Sequence, residues 1–165
     1  MEISDIKILE KDFFRDHRGD LWTTWLPEDW DQNFNHDKVS ISNKHVLRGL
    51  HGDKKAHKLV SCIYGDICFV MVDFRKNSPT YLKHEKFYLN GDKKTFILMP
   101  PGIANGFVVL SEIAIFNYKW SYEGSYPDVQ DQFTLRWDDP KLGIDWPIKT
   151  PLLSDRDSSA PLLNL

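Results

Sequence analysis

The spacing of short strand-forming segments is the feature that most constrains the fold of this 165-residue chain. Runs of β-branched and aromatic residues recur along it, and turn-forming clusters such as Gly65-Asp66 and Asn90-Gly91-Asp92 separate them. The helical crossovers that parallel strands require are missing from the pattern. The sequence therefore predicts an all-β fold, an antiparallel jelly-roll (cupin-like) barrel with few short helices.

Ten strands and one domain are predicted. The strands are expected at residues 6–10, 21–25, 38–42, 58–63, 67–73, 83–89, 95–99, 106–110, 113–120 and 132–137. Helix is expected only as short turns at 27–33 and 141–144. The segment 68–72 is apolar throughout, which is typical of a strand covered on both faces. With no repeat or linker in view, residues 1–165 are interpreted as a single domain.

Composition excludes several classes of partner. Hydrophobic residues make up 41% and charged residues 27%, and the net charge of −3 gives no basic face for nucleic acid. Two cysteines, Cys62 and Cys68, are too few for a four-cysteine zinc site. Residues 1–10 are too polar for a signal peptide, and no apolar run would span a membrane. We expect a cytoplasmic protein with two structural thiols and no membrane partner.

Charged and histidine side chains gather around glycines at a few places. They are Arg48, His51 and Lys58 in one cluster, Arg18 in a second, Asp157 near the C-terminus, and Tyr118 towards the end of an apolar strand. The glycines would allow backbone and ligand to approach closely. Taken singly, each residue has an ordinary alternative as a structural histidine, a solvated arginine, a turn aspartate or a core tyrosine. Spacing alone supports only a barrel with a basic, histidine-containing pocket.

A metal-binding jelly roll is the first alternative. Such sites use several well-spaced imidazoles, but His51 is followed by Gly52 and Asp53. The turn at Pro101-Gly102 leads to Asn105, and Asn is a poor ligand for a transition metal. We therefore predict that no metal is bound.

Several ordered motifs resemble the dTDP-4-dehydrorhamnose 3,5-epimerase family. They are Arg18-Gly19, Val46-Leu47-Arg48-Gly49-Leu50-His51, Lys58-Leu59-Val60, the stretch from Asp73 to Thr80, Gly143-Ile144-Asp145-Trp146-Pro147, and Leu153-Ser154 followed by Asp157. The likeness extends from about Lys7 to Asp157. His51-Gly52-Asp53, Asp131-Gln132-Phe133 and the stretch from Ser154 to Asp157 resemble more closely a branch that acts on GDP-linked 4-keto-6-deoxy-heptoses in bacterial capsule synthesis.

The resemblance implies an epimerase that needs no redox cofactor. A C4 ketone acidifies the protons on C3 and C5, so a base can remove one and leave an enolate. His51 matches the family's base, and Asp157 matches the carboxylate that orients it. Lys58 matches the cation beside the enolate oxygen, and Tyr118 matches the acid that returns a proton from the opposite face. Arg18 and Arg48 match positions that hold the diphosphate or the sugar.

The sequence departs from the dTDP-type pattern in three places. Asn105 stands where a histidine is usual, so it can hydrogen-bond the sugar but cannot share acid–base work. His36, Asp37 and Lys38 replace the stretch near the thymine, and the loop 123–132 is longer. These three residues are candidate substrate contacts. The resemblance to the GDP-linked branch favours a GDP-linked sugar over a dTDP-linked one, and Asp37 could accept hydrogen bonds from guanine.

Two other functions stay open from the sequence. A sugar-nucleotide 3,4-ketoisomerase could use His51 with different proton routing, and a non-catalytic nucleotide-sugar-binding module would keep Arg18 and Arg48. The family also implies a homodimer, with the strand edge near residues 6–10 as the expected contact. The expected role is in capsule or surface polysaccharide biosynthesis, with inversion at C3, C5 or both.

Overall fold

The computed structural model describes residues 2–125 and 132–164, and it is almost entirely β. The strands are β1 (Lys7–Glu10), β2 (Phe13–Asp16), β3 (Gly19–Trp22), β4 (His36–Asn43), β5 (Leu47–Asp53), β6 (His57–Tyr64), β7 (Asp66–Asp73), β8 (His84–Asn90), β9 (Thr95–Met99), β10 (Ile103–Val109), β11 (Ile113–Ser121) and β12 (Gln132–Thr134). A 3-10 turn at Pro27–Asp29 and a single-turn helix, α1 (Asp155–Ser158), are the helical elements of the described part.

Two five-stranded sheets face each other, and a hairpin stands apart from them. The first sheet has the order β1-β9-β6-β11-β4, the second has the order β12-β5-β10-β7-β8, and β2 pairs with β3. Every one of these strand pairs is antiparallel. The antiparallel jelly-roll prediction is confirmed.

Apolar side chains from both sheets fill the space between them. Val60, Phe69, Ile97, Phe107 and Phe116 belong to this central core, and the tilted rings of Phe107 and Phe116 pack with their centroids 4.5 Å apart. Because successive strand residues point to opposite faces, the same strands also have an outer apolar face. The prediction of a doubly covered strand at 68–72 is confirmed in β7, since both faces of this strand are buried.

The terminal segments cover those outer faces. Trp30 from the N-terminal region packs on Leu59, Phe96 and Leu98 of the first sheet. On the second sheet the cover comes from the C-terminal region, including Leu135, Leu142 and Trp146. The interior of the barrel is thereby held between two covered sheets, and one end of it stays open as a pocket.

Two strands were not predicted. β2 escaped because it is short and exposed, and β5 because its sequence, Leu-Arg-Gly-Leu-His-Gly-Asp, has two glycines and three charged or histidine side chains. The predicted strand at 132–137 ends early, at Thr134. Within the described ranges, no helix is long and apolar enough to cross a membrane.

Candidate active site

A cavity of about 630 Å³ opens at the end of the barrel where β6 begins and β11 ends. Both sheets and α1 contribute to its wall. The polar lining residues are Lys38, Ser40, Arg48, His51, Lys58, Asn105, Tyr118, Gln132, Ser154, Arg156 and Asp157. Val60, Phe107 and Phe116 form an apolar floor that is continuous with the core. The volume lies within the range of small-molecule sites.

His51 and Asp157 form a hydrogen-bonded pair in this cavity. The Nε2 atom of His51 lies 2.6 Å from Oδ1 of Asp157, although 106 residues separate them in the chain. Asp157 is 2% exposed, and the N–H of Gly49 donates to its other oxygen. This arrangement fixes the imidazole and leaves its Nδ1 atom as the nitrogen that can accept a proton from a ligand.

The local sequence explains why Asp157 reaches His51. Ser154 caps α1 by accepting a hydrogen bond from the Asp157 N–H, which sets the direction of that side chain. Gly49 has φ +117°, and a Cβ there would lie 2.6 Å from the Asn105 carbonyl oxygen. Glycine therefore allows β5 and β10 to approach closely beneath the pair.

The pKa of Asp157 is held below its ordinary value. Burial alone would raise it, but the hydrogen bond and charge of His51 and the N–H of Gly49 together outweigh burial. The carboxylate of Asp157 is therefore ionised at neutral pH.

Lys58 places an ammonium group beside the same space. It is 6% exposed, and its Nζ donates to the His51 carbonyl oxygen at 3.1 Å and to Oδ1 of Asn105 at 3.3 Å. Burial lowers the pKa of Lys58 to about 8, and the charge of Asp53 opposes that effect. A cation in so dry a position can strongly stabilise negative charge on a ligand oxygen.

Tyr118 stands on the sheet opposite to His51. β11 belongs to the first sheet and β5 to the second, and both side chains line the cavity between them. The ring of Tyr118 packs on Phe116 with centroids 5.9 Å apart, so its position is set by the core. A proton acceptor and a hydroxyl donor are thus presented from two opposing walls.

Three of the predicted binding residues also reach the cavity. Arg48 lies at its wall with Nε donating to Ser42, and Asn105 and Lys38 complete the set. The Nζ of Lys38 lies 4.7 Å from the centre of the Trp120 ring. His36 is at the rim, with its ring 6.3 Å from Trp120 and its Nδ1 atom 3.4 Å from the Tyr122 hydroxyl.

Asp37 and Arg18 are not brought into the cavity of their own chain. Strand alternation turns Asp37 to the outer face of the first sheet, where Asn117 and Lys119 donate to it. Asp37 therefore does not reach the cavity of its own chain, and its contact with the base stays a prediction. Arg18 lies in the β2–β3 turn, paired with Asp16 at 2.6 Å and 76% exposed. That hairpin packs near Lys94, at the other end of β6 and β11 from the cavity.

The structure adds lining residues that the sequence did not indicate. Arg156 donates to Thr134 and Gln132 of β12, so it ties α1 to the strand that covers one side of the cavity. Ser40 faces inward beside Lys38, and its Oγ is buried with no hydrogen-bond partner in the described part of the chain. Alternation from Lys38 could have predicted Ser40, whereas Arg156 belongs to the stretch from Ser154 to Asp157, of which only Asp157 was chosen as a candidate.

Two further findings concern the convergence of metal-binding side chains and the predicted long loop. Across residues 2–125 and 132–164, no three His, Cys, Asp or Glu side chains converge as metal ligands would. Tyr126, Asp131 and most of the predicted long loop 123–132 lie outside the described residues.

Comparison with known proteins identifies the relatives of this chain. A family model described as dTDP-4-dehydrorhamnose 3,5-epimerase matches residues 1–164. The enzyme of that name from Salmonella typhimurium is 37% identical, over 98% of this chain and 92% of its own length. The Shigella flexneri enzyme is 38% identical, over 94% and 90%.

Solved structures give the same result. The dTDP-6-deoxy-D-glucose-3,5-epimerase of Legionella pneumophila, solved with dTDP-4-keto-L-rhamnose, superposes with a TM-score of 0.91 at 36% identity, covering 100% of this chain and 91% of that one. A 3'-monoepimerase from Streptomyces bikiniensis, solved with dTDP-quinovose, gives 0.87 at 28% identity, covering 98% and 85%. The chain is therefore a carbohydrate epimerase that belongs to the dTDP-4-dehydrorhamnose 3,5-epimerase family.

Proposed function

We propose that this protein inverts C3, C5 or both in a nucleotide-linked 4-keto-6-deoxy sugar, with His51 as the base and Tyr118 as the acid. The observation that carries the proposal is the placement of these two side chains on opposing sheets of one cavity. Inversion requires a proton to leave one face of a carbon and to return to the other. Two groups on facing walls meet that requirement.

Side chains that line the cavity can carry out each proton transfer of the proposed reaction. The free nitrogen of His51 takes the proton from the carbon next to the ketone, and the bonding electrons move to the C4 oxygen to form an enolate. Lys58 stabilises that oxygen with its ammonium. Tyr118 then donates its proton to the opposite face of the carbon, and the carbonyl re-forms. The imidazolium, held by Asp157, and the tyrosinate return to their starting states by proton exchange with solvent.

Arg48 and Arg156 are the proposed contacts of the diphosphate. Both carry guanidinium groups at the wall of the cavity, and such groups bind phosphate oxygens through paired hydrogen bonds. Asn105 and Ser40, which are neutral, are better suited to the sugar hydroxyls.

The nucleotide is proposed to be dTDP first, with GDP as a second candidate. The named relatives act on dTDP-linked sugars. Asp37, the residue that favoured guanine, does not line the cavity of its own chain. One observation still favours guanine. Lys38 extends over the Trp120 ring at the cavity, where a stacked purine could accept from its ammonium through O6 and N7. The cytoplasmic location and the role in capsule or surface polysaccharide synthesis stay predictions.

Incubation in D₂O with dTDP-linked and GDP-linked 4-keto-6-deoxy sugars tests the proposal. We expect deuterium at C3 or C5 together with inverted configuration, read by NMR. A product whose carbonyl has moved to C3 would identify a ketoisomerase instead. Binding of both nucleotides without exchange of any carbon-bound proton would leave only a binding module, and the proposal would fail. The relatives include a 3'-monoepimerase, so the number of deuterated carbons is itself informative.

We also propose that the protein is a homodimer in which Arg18 serves the cavity of the partner. β1 pairs with β9 of its own chain and forms one edge of the first sheet, so the contact expected near residues 6–10 stays a prediction. The outer face of β4 exposes Val39 and Ile41, and the β2–β3 hairpin exposes Phe14 and Leu21. Exposed apolar side chains of this kind suit contact with a second copy of the chain.

Mixing two inactive variants tests the dimer. Arg18→Ala and His51→Ala chains, refolded together, should form mixed dimers with one intact site, and activity should return to roughly a quarter of that of wild type if subunits mix at random. Light scattering should give a dimer mass. A monomer at micromolar concentration, or no recovery on mixing, would contradict the proposal.

A further inference from the structure

Asp53 is a buried carboxylate that the proposed reaction does not use. It ends β5, is 1% exposed, and lies two residues beyond His51. Its Oδ1 atom accepts the N–H groups of Lys55 and Ala56, both at 2.7 Å. Its Oδ2 atom is buried and finds no hydrogen-bond donor among the described residues. A buried carboxylate oxygen left in this way is costly unless a nearby positive charge compensates it.

The position of Asp53 is fixed from several sides. Its own carbonyl oxygen accepts the N–H of Gly102 at 2.7 Å, and its backbone pairs with Gln132 of β12. The two bonds to Oδ1 hold the side chain against the turn that leads into β6. The free oxygen therefore cannot turn towards solvent without breaking the turn.

Lys58 is the matching positive charge. It follows that turn at the start of β6, and its described acceptors, the His51 carbonyl and the Asn105 amide oxygen, are both neutral. Among the charges acting on Lys58, that of Asp53 is the one that favours the ammonium form. Two buried groups thus lie at the two ends of one short turn, and neither has an opposite charge in direct contact among residues 2–125 and 132–164.

We propose that Asp53 is a positioning residue for Lys58. The carboxylate of Asp53 keeps the lysine charged and in place beside the ketone oxygen of the substrate. This inference rests on the proposed role of Lys58 in stabilising the enolate.

The other groups around Lys58 do not supply this charge. β4 contributes Lys38 and α1 contributes Arg156, and both cations lower the pKa of Lys58. On the remaining elements around the cavity, β11 presents Tyr118 and β10 presents Asn105, while β5 presents His51, whose partner is Asp157. The carboxylate of Asp157 is engaged by His51 and Gly49. Among the described residues, Asp53 is left as the carboxylate that balances the lysine.

The test is the pH profile of solvent exchange in Asp53→Asn. An amide oxygen can still accept the two N–H groups of the turn, so the substitution removes the charge and keeps the shape. If the loss of one neighbouring charge lowers the pKa of Lys58 by about one unit, exchange should fall about fivefold at pH 8 and less than twofold at pH 6.5. A loss that is the same at every pH, or no loss, would overturn the proposal.

Asp139→Asn is the matched control. Asp139 is also a buried turn carboxylate, 2% exposed, and accepts the N–H groups of Lys141 and Leu163 outside the cavity. It should lower the melting temperature without moving the pH profile. Asp53→Ser, whose hydroxyl can also cap the turn, is the second neutral variant. If neither Asp53 variant folds, the carboxylate serves the turn itself and the proposal fails.

A second readout separates this inference from the proposed reaction. Titration of ¹³Cε-labelled lysines by NMR follows Lys58 without turnover, with Lys58→Gln assigning its signal. We expect the Lys58 signal to titrate at lower pH in Asp53→Asn than in wild type. If wild-type protein exchanges no substrate proton but this shift is seen, the proposed reaction fails and the pairing stands. If exchange occurs and the two titrations coincide, the pairing fails alone.

Discussion

Two buried carboxylates at different places in the barrel differ in how well they are satisfied. Asp73, at the end of β7, accepts five hydrogen bonds, two at Oδ1 from Arg75 and three at Oδ2 from Arg75, Ser78 and Thr80. Asp53, at the end of β5, has two bonds at one oxygen and none from the described residues at the other. Both are almost fully buried.

The difference separates a structural site from a reactive one. Around Asp73 every charge has a partner, and Arg75 continues to Asp5 and Ser4, so the cluster fastens the N-terminal segment to the barrel. Around the cavity, Lys58 and the free nitrogen of His51 keep unused capacity for a ligand. Incomplete pairing costs stability, and it leaves groups that can respond to charge developing on a substrate.

The largest expected effect is on proton exchange in the cavity, after substitution of His51. His51→Asn should reduce exchange of the substrate's α-protons about 10²–10⁴-fold, because no other imidazole lines the cavity in the described structure. Deuterium incorporation from D₂O measures it. His84→Asn, on β8 and outside the cavity, is the control and should exchange at the wild-type rate. Near-normal exchange in His51→Asn would assign the base to another group.

Tyr118→Phe should separate deprotonation from inversion. The phenylalanine keeps the packing on Phe116 and removes the hydroxyl alone, so the fold and substrate binding should persist. We expect roughly a 10²-fold loss of inverted product, with deuterium still entering at the original configuration through His51. NMR of the product distinguishes the two.

Inverted product at the wild-type rate would exclude Tyr118 as the acid. Tyr122, whose hydroxyl lies near His36 at the rim, would then be the next candidate to substitute. Tyr126, in the long loop, lies outside the described residues.

In the Asp73 cluster, Asp73→Asn should destabilise the protein by about 3 kcal/mol, because it breaks a buried charge pair and leaves part of the Arg75 guanidinium without its acceptor. Burial would raise the pKa of Asp73, but its hydrogen bonds hold it well below the ordinary range. The stabilisation is therefore present above the ordinary carboxylate pKa and is lost as the pH falls. Urea midpoints of variant and wild type should converge in acid.

The matched control is Asp145→Asn, which removes an exposed pair with Lys149. Its urea midpoint should hardly change at any pH. An equal effect of the two substitutions would remove the distinction between a fully bonded cluster and a surface pair.

The sequence predicted most of the fold because alternation and turn chemistry are local. β9 was predicted with its observed limits, 95–99. β5 was missed because its glycines and charged residues, some of which line the cavity, have low strand propensity. The pair of His51 and Asp157 spans 106 residues, so only family motifs could suggest it. Alternation from Lys38 would have placed Asp37 on the outer face of β4, away from the cavity of its own chain.

The smallest expected effect is the alkaline limb of the wild-type exchange rate. Burial lowers the pKa of Lys58 to about 8, so the ammonium is present below that pH and is lost above it. If the ammonium stabilises the enolate, the rate should be about halved near pH 8 and should fall about tenfold per further pH unit, by simple titration. The arginine of Lys58→Arg keeps its charge throughout this range. The exchange rate of this variant should therefore show no fall above pH 8, whatever its absolute value. A limb that persists in Lys58→Arg would belong to another group, and it would show that the incomplete pairing around Lys58 has no part in the pH response.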